Sequence, residues 1–219
     1  MDNNLLFLDS SDLADLSAFL KKALRLDANG AVKLRAFGEV LAAYVSPIYA
    51  GSLVGDGLTV IGLRTLNMAS KIELDGLFSI EELLAAVNKG IDENSLEVTT
   101  PGTVARIGWA GVTPPRQGWK LSGEVDSQQL TDWAKLGIAE VARALPESVG
   151  SAIAARVRLQ IWGKAVGIEH NFPAGSAFAM AGLGFLQKGV PVKVYRAHGW
   201  IRLSSDFGHV LAKESFKFS

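Results

Sequence analysis

Val190-Pro191-Val192-Lys193-Val194-Tyr195-Arg196-Ala197-His198-Gly199-Trp200-Ile201-Arg202-Leu203-Ser204 is the stretch that decides the fold. Two alternating runs flank a dipeptide suited to a tight turn. A two-residue loop at His198-Gly199 pairs Val194 with Leu203 and Arg196 with Ile201 on one face. It pairs Tyr195 with Arg202 and Ala197 with Trp200 on the other. Antiparallel hairpins of this kind take two-residue turns with positive φ, and the side-chain period of two fixes which face each residue joins.

Upstream of the hairpin the pattern is helical. Asp126 caps a helix with Gln129 at its third position. Leu130, Trp133, Ala134, Gly137, Ile138, Val141, Ala142 and Leu145 follow at helical spacing until Pro146 stops it. Residues 148–155 also read as helix. The continuation 156–162 alternates like a strand, yet Ile153, Val157 and Ile161 make a helical stripe, so helix is preferred. A third helix over 174–186 is apolar or small all round, which requires burial on most sides. Ser176, early in that helix, is expected to bond to the backbone.

Before these helices lies a turn-rich segment, Gly108-Trp109-Ala110-Gly111-Val112-Thr113-Pro114-Pro115-Arg116-Gln117-Gly118-Trp119. The charge changes sign there. Residues 1–112 hold 9 basic and 14 acidic side chains, and residues 113–219 hold 13 and 8. The expected organisation is an α+β domain over 1–112, a Pro/Gly/Trp linker over 113–122, and a helical domain with a C-terminal hairpin over 123–219. In the first of these, Ser10 or Ser11 starts a helix bearing Leu13, Leu16, Leu20 and Leu24 that ends near Lys22. A hairpin over 24–34 follows, with Ala28-Asn29-Gly30 as its loop preferred over a two-residue Asn29-Gly30 turn. Strands at 40–47 and 58–66 come next, joined by a loop over 51–57. Ser79 and Glu82 form a capping box for a helix that stops at Gly90. Strands at 96–99 and 103–109 complete a small antiparallel sheet. The fold class is therefore α+β.

Several motifs together carry a family resemblance. They are Pro114-Pro115-Arg116-Gln117-Gly118-Trp119, Ile161-Trp162-Gly163, Phe172-Pro173-Ala174-Gly175-Ser176-Ala177-Phe178, and Gly199-Trp200-Ile201-Arg202-Leu203 with Gly208-His209-Val210-Leu211. Over residues 24–211 the chain resembles an uncharacterised family of bacterial proteins from high-GC genomes. The resemblance implies a bacterial, cytosolic origin and no particular chemistry.

Composition narrows the chemistry. The 219 residues carry 22 basic and 22 acidic side chains, 48% hydrophobic residues and no cysteine. There is no thiol nucleophile, no thiolate metal site and no global charge to draw nucleic acid or membrane. The uncharged runs 40–55 and 170–187 contain Pro, Gly or Asn and fall short of the roughly 20 apolar residues of a spanning helix. The N-terminus lacks a basic export signal, so a cytoplasmic location is expected. Gly163-Lys164 is followed by Ala165 and makes no P-loop. Gly55-Asp56-Gly57 and Gly182-Leu183-Gly184 lack the third glycine of a dinucleotide fingerprint. Gly175-Ser176-Ala177-Phe178 is no nucleophile elbow, and no metal-ligand spacing is present. No cofactor is expected. Three helices and a hairpin follow the order of a winged helix, but the third helix has no Arg, Lys or Asn to read bases, so nucleic acid is disfavoured.

The candidate binding residues are Arg116, Trp109, Trp119, His170 and His209. Arg116 follows a stiff Pro-Pro pair between two indoles, an arrangement able to grip a carboxylate or phosphate. A purely structural reading has the Trp residues pin the linker while Arg116 pairs with an acid. The leading functional expectation is a non-catalytic binding or interaction protein, as a homodimer or with a protein partner or small anionic ligand. The rival is an enzyme with a dispersed site using Arg116 and one of His170, His198 or His209.

Overall fold

A computed structural model describes residues 4–50, 57–105, 107–145, 150–167, 169 and 171–213. The expected loop over 51–57, the start of the helix expected from Ser148, and His170 lie wholly or largely outside these residues.

The chain opens with β1 (Asn4–Leu6) and α1 (Ser10–Leu26). The cap of α1 is Asp9, not Ser10 or Ser11: one Asp9 carboxylate oxygen accepts the Ser11 and Asp12 amides at 2.7 and 3.1 Å. The Ser11 hydroxyl, then these amides, hold the Asp9 carboxyl below the usual carboxylate range. Leu13, Leu16 and Leu20 form the buried stripe. The helix continues past Lys22, so the hairpin over 24–34 does not form. Ala23 is buried and its carbonyl accepts the Asp27 amide, while Gly30 closes back on Asp27. Val32 and Leu34 pair instead with a distant strand.

That pairing starts the main sheet. β2 (Ala31–Tyr49) and β3 (Thr59–Ile72) are long strands, and β4 (Asp75–Ser79) sets Phe78 opposite Val32. Next come α2 (Ile80–Asp92) and β5 (Glu97–Thr99). Ser79 caps α2 as expected, its Oγ accepting the Glu82 amide at 3.4 Å. β5 pairs antiparallel with β1 in a separate two-stranded sheet. The described residues of 103–109 form no strand: Thr103 makes one bridge to Phe78, and Gly108–Gly111 is a 3-10 turn.

The second half contributes β6 (Lys120–Val125), α3 (Ser127–Ala144), α4 (Ser151–Trp162), β7 (Ala165–Val166), β8 (Phe172–Pro173) and α5 (Ala174–Gly182). β9 (Val192–Ala197), β10 (Trp200–Ser205) and β11 (Gly208–Lys213) complete it. Asp126 caps α3 through the Gln128 and Gln129 amides at 2.8 and 3.1 Å. Residues 156–162 are helical. α5 stops at Gly182, short of the expected Leu186, and the chain turns through Gly184 at φ 71°.

Seven strands run in the order β4-β2-β3-β11-β10-β9-β6. Mixed α+β architecture with antiparallel pairing is therefore the fold class. By internal contact the chain divides into two units, Met1–Pro47 with Leu63–Ala110, and Ile48–Gly62 with Gly111–Ser219. In the first, Leu5, Phe7, Leu16, Leu20, Phe78 and Leu83 are fully or almost fully buried. In the second, Val194, Leu203 and Val210 are fully buried on one sheet face, and α3 packs on α5.

The helical layer of the second unit depends on close approach. Trp162 stacks on Phe178 with centroids 4.4 Å apart, and Trp133 meets Phe172 edge-on at 5.7 Å. A Cβ on Gly137 would lie 2.2 Å from the Trp162 ring. Alanine is favoured over glycine inside a helix by about 1 kcal/mol. Gly137→Ala is nevertheless expected to destabilise by about 1–3 kcal/mol through overpacking, read by urea denaturation. Unchanged or higher stability would contradict this packing. Ser176 does not bond to the backbone as expected: its hydroxyl is fully buried with no partner among the described residues. Removing an unsatisfied buried hydroxyl relieves its desolvation cost, so Ser176→Ala is expected to hold or raise the urea midpoint. A clear loss would reveal a bond to that hydroxyl.

Candidate functional site

The site is built on the His198-Gly199 turn between β9 and β10. His198 and Gly199 have φ of 48° and 74°, the paired positive values of a tight hairpin turn. The register is the expected one, with Ala197 opposite Trp200, Tyr195 opposite Arg202 and Val194 opposite Leu203. β11 and β6 extend it on either side. One row across the sheet reads Leu121, Tyr195, Arg202, Leu211. The next row on the same face reads Glu124, Lys193, Ser204, His209. The opposite face carries Val194, Leu203 and Val210, all fully buried.

Arg202 sits at the centre of the less buried face. Its guanidinium carbon lies 4.4 Å from the Tyr195 ring centroid and 4.7 Å from that of Trp119. Trp119 is held by its own loop, donating its indole N–H to the Pro115 carbonyl at 3.0 Å. Flanking a guanidinium with aromatic faces is favourable, and arginine stays cationic even when partly desolvated. Burial pulls the Arg202 guanidinium below its ordinary value, and Tyr195 pulls it the other way. Arg202 Nε is buried and has no hydrogen-bond acceptor among the described residues. No acidic side chain among them forms an ion pair with Arg202, whereas Lys164 pairs with Glu140 in the same unit. The buried Nε is out of a ligand's reach, so an incoming anion would be received by the terminal nitrogens of this half-buried, unpaired cation.

The expected residues are placed as follows. Trp119 is half-buried against Arg202. Arg116 is exposed on the preceding segment, and Pro114 and Pro115 are half-buried. Trp109 is buried in the 3-10 turn of the first unit. His209 is half-buried on β11, its Nδ1 3.0 Å from Ser204 Oγ. His198 is exposed in the hairpin turn. His170 is outside the described residues. Trp119 and His209 thus share one sheet face, and the charge between them belongs to Arg202, which sequence reasoning did not single out. The signal was present: in the correct register Arg202, Lys193 and Ser204 break an otherwise apolar hairpin on one face. The described residues hold no group of three or more acids and histidines arranged for a metal ion, and none of their helices is long and apolar enough to cross a membrane.

A double-mutant cycle between Trp119→Ala and Arg202→Met is expected to show a coupling of about 1 kcal/mol in stability, the size of a partly desolvated cation–π contact. Additive single effects would mean that the two side chains do not interact.

Comparison with known proteins places the chain without assigning it an activity. Residues 1–111 match the model of Domain of unknown function (DUF8010), and residues 114–217 match that of Domain of unknown function (DUF8185). No curated protein matches the chain. Among solved structures it has a similarity to the DNA polymerase sliding clamp from Pseudomonas aeruginosa, at 11% identity and a TM-score of 0.43. That alignment covers 94% of this chain and 64% of the clamp chain, so it spans less than two thirds of the clamp. A likeness at that level identifies neither fold nor function. With just over half of its residues under one model, the chain belongs to the family of Domain of unknown function (DUF8010), followed in the same chain by Domain of unknown function (DUF8185).

Proposed function

We propose that this chain is a non-catalytic binding protein whose second unit recognises an anionic group at Arg202. The observation that carries the reading is a half-buried guanidinium between Trp119 and Tyr195 with no acceptor among the described residues. Trp119 and a small anionic ligand are as the sequence suggests, with Arg202 rather than Arg116 as the cation.

A guanidinium has five N–H donors and no acceptor, and its bonds to carboxylate or phosphate are among the stronger hydrogen bonds in proteins. The rings limit rotation of the Arg202 head, so less entropy is lost when an oxyanion docks. Leu121, 59% exposed and directly across from Tyr195, offers apolar contact to whatever carries the anion.

Thermal-shift and calorimetric titrations with inorganic phosphate and with acetate test this. A ligand that binds the native state raises its melting temperature. The wild-type chain is expected to show saturable stabilisation by at least one of these anions. Arg202→Gln is expected to fold, with a far-UV spectrum like wild type, and to lose that stabilisation. No anion-dependent shift in the wild type, or an undiminished shift in Arg202→Gln, would overturn the proposal.

A further inference from the structure

Resting on the Arg202 reading, we infer that the anion is a phosphoryl group, held jointly by Arg202, Ser204 and Lys193, rather than a carboxylate held by Arg202 alone. The Nε of Arg202 is buried. The side-on fork formed by Nε and one Nη, which receives a planar carboxylate in two parallel bonds, is therefore closed to a ligand. Only the terminal nitrogens remain, and their end-on fork receives two oxygens side by side.

The remaining donors come from the neighbouring row. Ser204 lies two residues from Arg202 on the same face of β10, a spacing of about 6.6 Å along a strand. Lys193 is directly opposite Ser204 on β9, and His209 is opposite it on β11. Lys193 is exposed. Ser204 Oγ is 3.0 Å from His209 Nδ1. When that nitrogen carries the proton it donates to Ser204, and the serine hydrogen is left to donate to a ligand. A carboxylate has two oxygens, and the end-on fork of Arg202 takes up both. A phosphoryl group has a third, left to accept from the Ser204 hydroxyl and the Lys193 ammonium. A charge near −2 also matches the two cations better than a charge of −1. Glu124, at the far end of the second row and opposite Lys193, is the acid on this face of β6. It leaves the Arg202 end of the patch positive.

Two sources fit this chemistry, free inorganic phosphate and a phosphate monoester whose organic part would lie toward exposed Leu121. Calorimetry on the full chain with inorganic phosphate, phenyl phosphate and acetate separates them. The wild type is expected to bind a phosphoryl ligand at least about tenfold more tightly than acetate, the equivalent of one further charge-assisted hydrogen bond. Ser204→Ala and Lys193→Met should each weaken phosphoryl binding about tenfold and leave acetate binding unchanged. Tighter binding of phenyl phosphate assigns the monoester, and equal binding assigns free phosphate; each supports the inference. Equal affinity for acetate and phosphate, or a Ser204→Ala variant that binds both as wild type does, overturns it while leaving the Arg202 reading intact. If Arg202→Gln retains wild-type binding of all three ligands, the Arg202 reading itself has failed.

Discussion

Cross-strand register between β9 and β10 is the constraint on which the site depends. Because side chains alternate from face to face, a slip of one residue would carry Arg202 into the row now filled by Val194, Leu203 and Val210. Those positions are fully buried, and a guanidinium there would be stripped of water with no aromatic face beside it. The His198-Gly199 turn prevents the slip. With both residues at positive φ, the loop length is fixed at two, and Tyr195 is locked opposite Arg202. The less buried face of the sheet is therefore specified by the requirements of the opposite one.

A second level of order comes from the strands added to the hairpin. β6 brings Trp119 to the edge of the row containing Tyr195, and the Pro115 carbonyl fixes the indole through its N–H. β11 places Leu211 and His209 beyond Arg202 and Ser204. Neither strand makes the site alone. Together they turn one charged residue in a hairpin into a guanidinium with defined neighbours on both sides, and that definition distinguishes a receptor from a solvated surface arginine.

Local signals in the sequence were sufficient wherever the partner was close along the chain. Asp126 before α3, Ser79 before α2 and the turn between β9 and β10 all act within a few residues, and each was legible. The reading failed where a distant partner decided the outcome. Leu24 and Leu26 match the nearby Val32 and Leu34 in pattern, which suggests a hairpin. Phe78, more than forty residues away, was the better partner for Val32, and the helix kept its last turn. The same limit applied to the site. Arg202 was placed opposite Tyr195 from sequence, but Trp119 could be set beside it only once β6 was known to follow β9 in the sheet. Arg116 stands between two Trp residues in sequence, but the indole of Trp119 lies against an arginine 83 positions later.

The most direct measurement is the side-chain Nε–Hε NMR signal of Arg202 during titration with inorganic phosphate, assigned by comparison with Arg202→Gln. The account predicts a distinct signal, protected from water exchange because Nε is buried, that shifts and saturates as phosphate is added. A signal that exchanges like those of exposed arginines and stays fixed throughout the titration would contradict it.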